Sequence, residues 1–287
     1  LPSPRPTRTA VLLVFGSIVS VQCGAALATT LFDEVGPAGA VLLRSLFAAV
    51  ALALFARGGL FWHGRSLQHE IAIFAIALAG MNLCFYESID RLALGVAVTF
   101  EFVGPLAVAV FGTRRRLDAV WGLIAAAGIV LLAGGGSGGA VDALGAALAL
   151  AAGGFWGLYI VQSARVGREP GLGGLASAVG LSTVLVAPLG LAEGGGELLG
   201  APVLAAGLGA GLLSSAIPYA LELEALRRLP NSVFGVLMSL EPAVAAAIGF
   251  LALSQALSAA QLLAIALVVL ASAGALRTTS TPSAPEI

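Results

Sequence analysis

Polar positions are sparse along this chain and fall in clusters that cut it into ten apolar runs, each long enough to cross about 30 Å of hydrocarbon as a helix. The runs lie near 9–32, 37–56, 69–89, 92–112, 118–134, 143–163, 172–192, 202–225, 231–252 and 259–276. The connections are short, as at Asp33-Glu34-Val35-Gly36 and Thr113-Arg114-Arg115-Arg116. In lipid every backbone amide must find its partner inside the protein, which such runs achieve as helices. The pattern therefore predicts an all-α polytopic membrane protein.

The second five runs repeat the first five. Arg91-Leu92-Ala93-Leu94-Gly95 through Glu101-Phe102-Val103-Gly104-Pro105-Leu106-Ala107-Val108 is echoed by Arg228-Leu229-Pro230 through Met238-Ser239-Leu240-Glu241-Pro242-Ala243-Val244, with Pro105 falling on Pro242. Each half holds an odd number of spans, so the copies face opposite sides of the membrane. The expected architecture is ten transmembrane helices as two inverted five-helix repeats, 9–134 and 143–276. The glycine-rich stretch 134–139 is the flexible junction between them. The Ser/Thr/Pro-rich tail, 277–287, is expected to be disordered. Inverted repeats mark secondary transporters, in which one half rocks against the other around a central site.

Arginine placement orients the spans. Twelve arginines fall in the loops and tails of one side, and only Arg91 falls on the other, when both termini are put inside. That asymmetry predicts cytoplasmic termini and an even number of spans. Within the first span, Ala26-Leu27-Ala28 resembles a signal-peptide cleavage site. Removing that span would break the repeat and invert the arginine pattern, so it is read as a retained helix.

Composition narrows the chemistry. Only 10% of residues are charged and 59% are apolar, against about a quarter charged in a soluble domain. The net charge of −1 gives no polybasic case for nucleic acid, and the chain contains no lysine. A phosphate-binding Walker A loop and a pyridoxal Schiff base both need one, so ATP-driven transport by this chain and that cofactor are excluded. No cofactor or metal is expected. His63 and His69 lie in or beside an inner loop, and Asp33, Asp90, Asp118 and Asp142 lie at loops or span ends. An intramembrane enzyme would lack its parts, so the chain is expected not to be an enzyme. A passive scaffold would not need proline-broken helices with buried acids in both halves.

Charges at membrane depth cost about 2.5–3.5 kcal/mol each even on the lenient insertion scale, so they are the first functional candidates. Glu101 lies four residues before Pro105, Glu241 directly before Pro242, and Glu222 four residues after Pro218. Each proline removes a backbone donor and opens the helical ladder nearby. Freed carbonyls beside a carboxylate can recognise an ammonium group or hold a proton. The alternative is a protonated Glu hydrogen-bonded between helices for packing. Glu224 is expected to pair with Arg227 or Arg228, and Glu87 with Arg91, at helical spacing. Arg44 either pairs with an outer acid such as Glu87 or helps to bind a carboxylate. Gln22, Asn82, Tyr86, Trp156, Tyr159 and Tyr219 are polar or amphipathic groups within spans that can line a cavity. Cys23 and Cys84 are read as packing residues.

At these residues the chain resembles the drug/metabolite transporter superfamily with two EamA-type repeats, and within it the bacterial threonine/homoserine exporters. The likeness is carried by Gly80-Met81-Asn82 with Phe85-Tyr86, Glu101-Phe102 with Gly104-Pro105-Leu106-Ala107-Val108-Ala109, Pro218-Tyr219 with Leu221-Glu222, Leu229-Pro230, and Phe234-Gly235 through Leu237-Met238-Ser239-Leu240-Glu241-Pro242-Ala243. It implies residence in the bacterial inner membrane, a central cavity, and export of small amino acids coupled to protons. Aromatic amino acids or other metabolites are the alternative cargo. Glu87 and Glu224 depart from the neutral residues expected there.

Overall fold

The computed structural model describes residues 8–55, 65–112, 116–133, 141–166, 173–226, 228–229 and 231–279. Among them no strand occurs, and helices make up nearly all of the described residues. The first half comprises α1 (Arg8–Thr29), α2 (Phe32–Phe55), α3 (Arg65–Ile89), α4 (Leu94–Glu101), α5 (Val103–Gly112) and α6 (Arg116–Ala133). The second comprises α7 (Ala143–Val166), α8 (Gly173–Gly194), α9 (Ala201–Gly211), α10 (Ile217–Leu226), α11 (Asn231–Met238), α12 (Glu241–Leu253) and α13 (Ala259–Thr279). Among the described residues, seven stretches are long and apolar enough to cross a membrane, and three shorter apolar helices, Leu94–Val108, Val120–Ala133 and Ala259–Ala275, fall within the fourth, fifth and tenth expected runs. The glycine junction lies outside the described residues. So do Arg5, Arg57, Arg114, Arg115, Arg168 and Arg227 and the tail beyond Thr279. α13 itself continues to Thr279, three residues into the segment expected to be disordered.

The outside of the protein is apolar. Leu12, Leu54, Leu123, Val130 and Leu251 are each more than two-thirds exposed, a surface suited to lipid and not to water. Inside, α2 packs on α8, α3 on α7, α6 on α13, and α1 on α10.

Three expected helices are interrupted. The fourth run breaks at Phe102, between α4 and α5, and the ninth at Ser239-Leu240, between α11 and α12. Phe102 and Leu240 have relaxed to ψ values of −12° and −8°. A proline cannot donate to the carbonyl four residues earlier, and those carbonyls belong to Glu101 and Met238, the last residues before each break. The eighth run passes through a π-helical turn, Leu212–Ala216, in which the amide of Ile217 donates to Leu212 O. Pro218 follows directly.

The connection expected at 33–36 takes another form. Phe32 already begins a helical turn, and the chain kinks at Gly36, whose φ of 70° suits a residue without a Cβ. Past Pro37 the helix resumes, and the Glu193 carboxylate at the end of α8 accepts the freed amide of Ala38 at 2.9 Å. The acid thus caps a helix N-terminus on another segment.

Candidate functional site

The breaks and the π turn meet at one cavity of about 320 Å³ between the two halves of the chain. Gln22, Asn82, Tyr86, Glu101, Trp156, Tyr159, Glu222 and Glu241 all line it, together with Pro218. Tyr219 is on the same helix as Glu222, but its side chain lies outside the described residues. Pro105 and Pro242 act from behind the wall: each sits in the first turn of the helix that follows its break.

Helix α1 ties two of the carboxylates in place. Ser17 Oγ donates to Glu222 Oε1 at 2.6 Å, and Gln22 Nε2 donates to Glu241 Oε1 at 3.3 Å. Ser20 Oγ donates to Leu213 O, inside the π turn, at 2.7 Å. Glu101 and Glu241 are buried, 8% and 7% exposed. Glu101 is within electrostatic reach of Glu241 and Arg44, and Glu241 of Glu222. Two buried carboxylates, with the half-buried Glu222 within reach of Glu241, demand counter-charge, whether protons, a guanidinium or a bound cation.

The carbonyl that Pro105 frees is not turned to the cavity, contrary to the sequence expectation. Glu101 O faces the point where Gly153 of α7 has no side chain, and Gly104 in turn lies against Gly153 O. The two glycines let the broken helix approach α7 backbone to backbone. Whatever Glu101 offers the cavity, it offers through its carboxyl.

Arg44 also lines the cavity and does not meet Glu87. Its Nη1 donates to Asn82 Oδ1, and its guanidinium lies 5.6 Å from the Tyr86 ring centroid. Glu87 pairs instead with Arg91, Oε2 to Nη1 at 2.7 Å, and Glu224 accepts from Arg228 Nε at 2.8 Å, both as helical spacing predicts. The sequence reading did not single out Glu70, which accepts a hydrogen bond from Gln162 and pairs with Arg165 at 3.4 Å, joining α3 to α7. It also passed over Ser45, Ser182, Ser214 and Ser215 in the cavity wall.

Buried polar atoms without a partner concentrate here. Gln22 Oε1, Arg44 Nε and Glu241 Oε2 all belong to cavity-lining residues; elsewhere in the described residues Trp121 Nε1 and Ser272 Oγ are of the same kind. Each such atom costs free energy unless something else satisfies it, which marks a polar binding site. Among the described residues no cluster of His, Cys, Asp or Glu could hold a metal ion. Cys23 and Cys84 are free and half-buried.

Apolar flanks, broken helices and a central cavity of buried charge together define a multi-pass membrane transport protein. The chain belongs to the EamA-like transporter family, whose model matches residues 143–277. It is 38% identical over 270 residues to the threonine/homoserine exporters RhtA of Salmonella typhimurium (strain SL1344) and Escherichia coli (strain K12), covering 94% of this chain and 92% of each relative. A crystal structure 21% identical to it shares the fold, with a TM-score of 0.62 over 95% of this chain and 99% of its own.

Proposed function

We propose that this protein exports small amino acids of the threonine/homoserine kind across the bacterial inner membrane, as a proton-coupled secondary transporter working by alternating access. The observation that carries the reading is the near end-to-end similarity to two exporters of those amino acids. The cavity adds physical support. At about 320 Å³ it sits at the small end of the roughly 300–1,000 Å³ usual for small-molecule sites, and it carries both signs of charge, as a zwitterion requires.

The ten helices act as two inverted repeats, 9–134 and 143–276, with both termini in the cytoplasm. In support, α2 packs on α8 and α6 on α13, each the counterpart of the other in the repeat. α4 also runs against α12 in the opposite sense, Gly95 beside Ala246 and Leu94 beside Gly249. Glu101 and Glu241, at the facing breaks, take up and release the driving proton, with Glu222 third in line. Gln22, Asn82, Tyr86, Trp156, Tyr159 and Tyr219 complete the substrate site.

Counterflow in proteoliposomes tests this directly. Preloaded L-threonine or L-homoserine should accelerate entry of the labelled amino acid, and an imposed proton gradient should drive accumulation. Counterflow with aromatic amino acids alone would reassign the cargo. None with any amino acid would overturn the reading.

A further inference from the structure

Arg44 is costly at this depth, yet the wall around it holds its guanidinium in one orientation. Asn82 Nδ2 donates to Leu78 O at 2.8 Å, which settles which end of the amide faces Arg44. The remaining amide oxygen accepts from Arg44 Nη1, and the Tyr86 ring lies beneath the guanidinium. Asn82 and Tyr86 are four residues apart on α3, so one helical face both anchors and supports the arginine. Nη1 is thereby committed, while Nε is buried without a partner. A guanidinium fixed at one corner presents its other N–H groups in the planar fork that matches a carboxylate. Gln22, Glu101, Glu222 and Glu241 supply acceptors in the same cavity.

Resting on the proposed function, we infer that Arg44 is the residue that recognises the α-carboxylate of the transported amino acid, with the cavity glutamates facing its ammonium. An amino acid then enters as a complete zwitterion. Its carboxylate pairs with the guanidinium N–H groups of Arg44 that face the cavity, and its ammonium supplies counter-charge to Glu101 and Glu241. Asn82 and Tyr86 become positioning residues that act through Arg44. A molecule with the ammonium and hydroxyl but no carboxylate would leave the fork unpaired.

L-threonine and L-threoninol make that comparison, differing in the carboxylate while sharing the ammonium and the side-chain hydroxyl. Their binding to the purified full-length protein in detergent is measured by titration calorimetry. The parent should prefer L-threonine by about 10- to 100-fold, the scale of a buried charge-assisted contact. Arg44→Gln should abolish the preference by weakening L-threonine alone, leaving L-threoninol within about threefold of the parent. Arg44→Lys keeps the charge without the fork and should give an intermediate preference.

The parent's own discrimination needs no variant, so the test survives a misfolded Arg44→Gln. Equal binding of the two ligands by the parent overturns the proposal. So does an equal loss of both in an Arg44→Gln protein whose elution profile and thermal midpoint match the parent, which would make Arg44 a counter-charge for the glutamates. Failure of the parent to bind any amino acid would overturn the proposed function as well, and is thus distinguishable from failure of the arginine assignment alone.

Discussion

Two adjacent glycines on α7 offer a controlled test of how the broken helix is held. A Cβ built at Gly153 lies 3.2 Å from both the carbonyl carbon of Glu101 and the amide nitrogen of Gly104, and closer still to Glu101 O. All three are backbone atoms, which cannot swing aside as a side chain can. A Cβ built at the neighbouring Gly154 meets nothing within 4 Å. Both substitutions to Ala bring the same gain in helix propensity, at most about 1 kcal/mol, so their difference isolates the packing. Overpacking of this kind costs about 1–3 kcal/mol. Gly153→Ala should therefore be less stable than Gly154→Ala by that amount, read as a lower midpoint in detergent-mediated unfolding. The strain falls on the residue that carries the cavity carboxyl, so Gly153→Ala should also lose transport while Gly154→Ala matches the parent. Equal midpoints and equal transport for the two variants would refute the close backbone approach.

Three further outcomes are expected. Glu101→Gln or Glu241→Gln keeps shape and hydrogen bonding but cannot ionise, so it should fold near normally while losing most transport or its pH dependence; parent-like transport across roughly pH 6 to 8 would make both acids structural. Glu193→Ala removes the cap on Ala38 and should lower stability by about 0.5–2 kcal/mol, seen as a lower thermal midpoint; an unchanged midpoint would show the contact to be incidental. A reporter fused after Arg277 should be cytoplasmic, because twelve arginines lie on that side of the proposed topology, and a periplasmic signal would sink the ten-span arrangement.

The helical segments were legible in the sequence because lipid leaves a buried backbone so few options. The two ion pairs at helical spacing were legible for a local reason, since Glu87 with Arg91 and Glu224 with Arg228 need only the geometry of one turn. Arg44 was harder, because depth in a span does not reveal which way a side chain faces. A signal was nonetheless present on α2. Leu46, Val50 and Leu54, spaced by four, form its exposed stripe, whereas Arg44, Ala48 and Leu52 line the cavity. Choosing the uniformly apolar stripe as the lipid face would have turned Arg44 inward. The hydrogen bond between Gln22 and Glu241 is a contact across the whole chain, and no local pattern encodes it.

Prolines alone would have misled. Pro188 lies within α8, which runs from Gly173 to Gly194 without interruption, and it is absent from the cavity wall. Pro105, Pro218 and Pro242 each follow or adjoin a real irregularity, and each has a glutamate within four residues. The distinction has a physical basis. An opened ladder leaves backbone groups that lipid cannot satisfy, so it persists only where protein or a polar cavity covers it. At Pro105 the cover is Gly153, which receives the freed carbonyl of Glu101. At Pro218 the π turn rearranges the bonding, with Ser20 reaching Leu213 O from α1. The same cover that makes the breaks tolerable shields the neighbouring carboxyls from lipid, and so a helix break and a buried acid occur at one place.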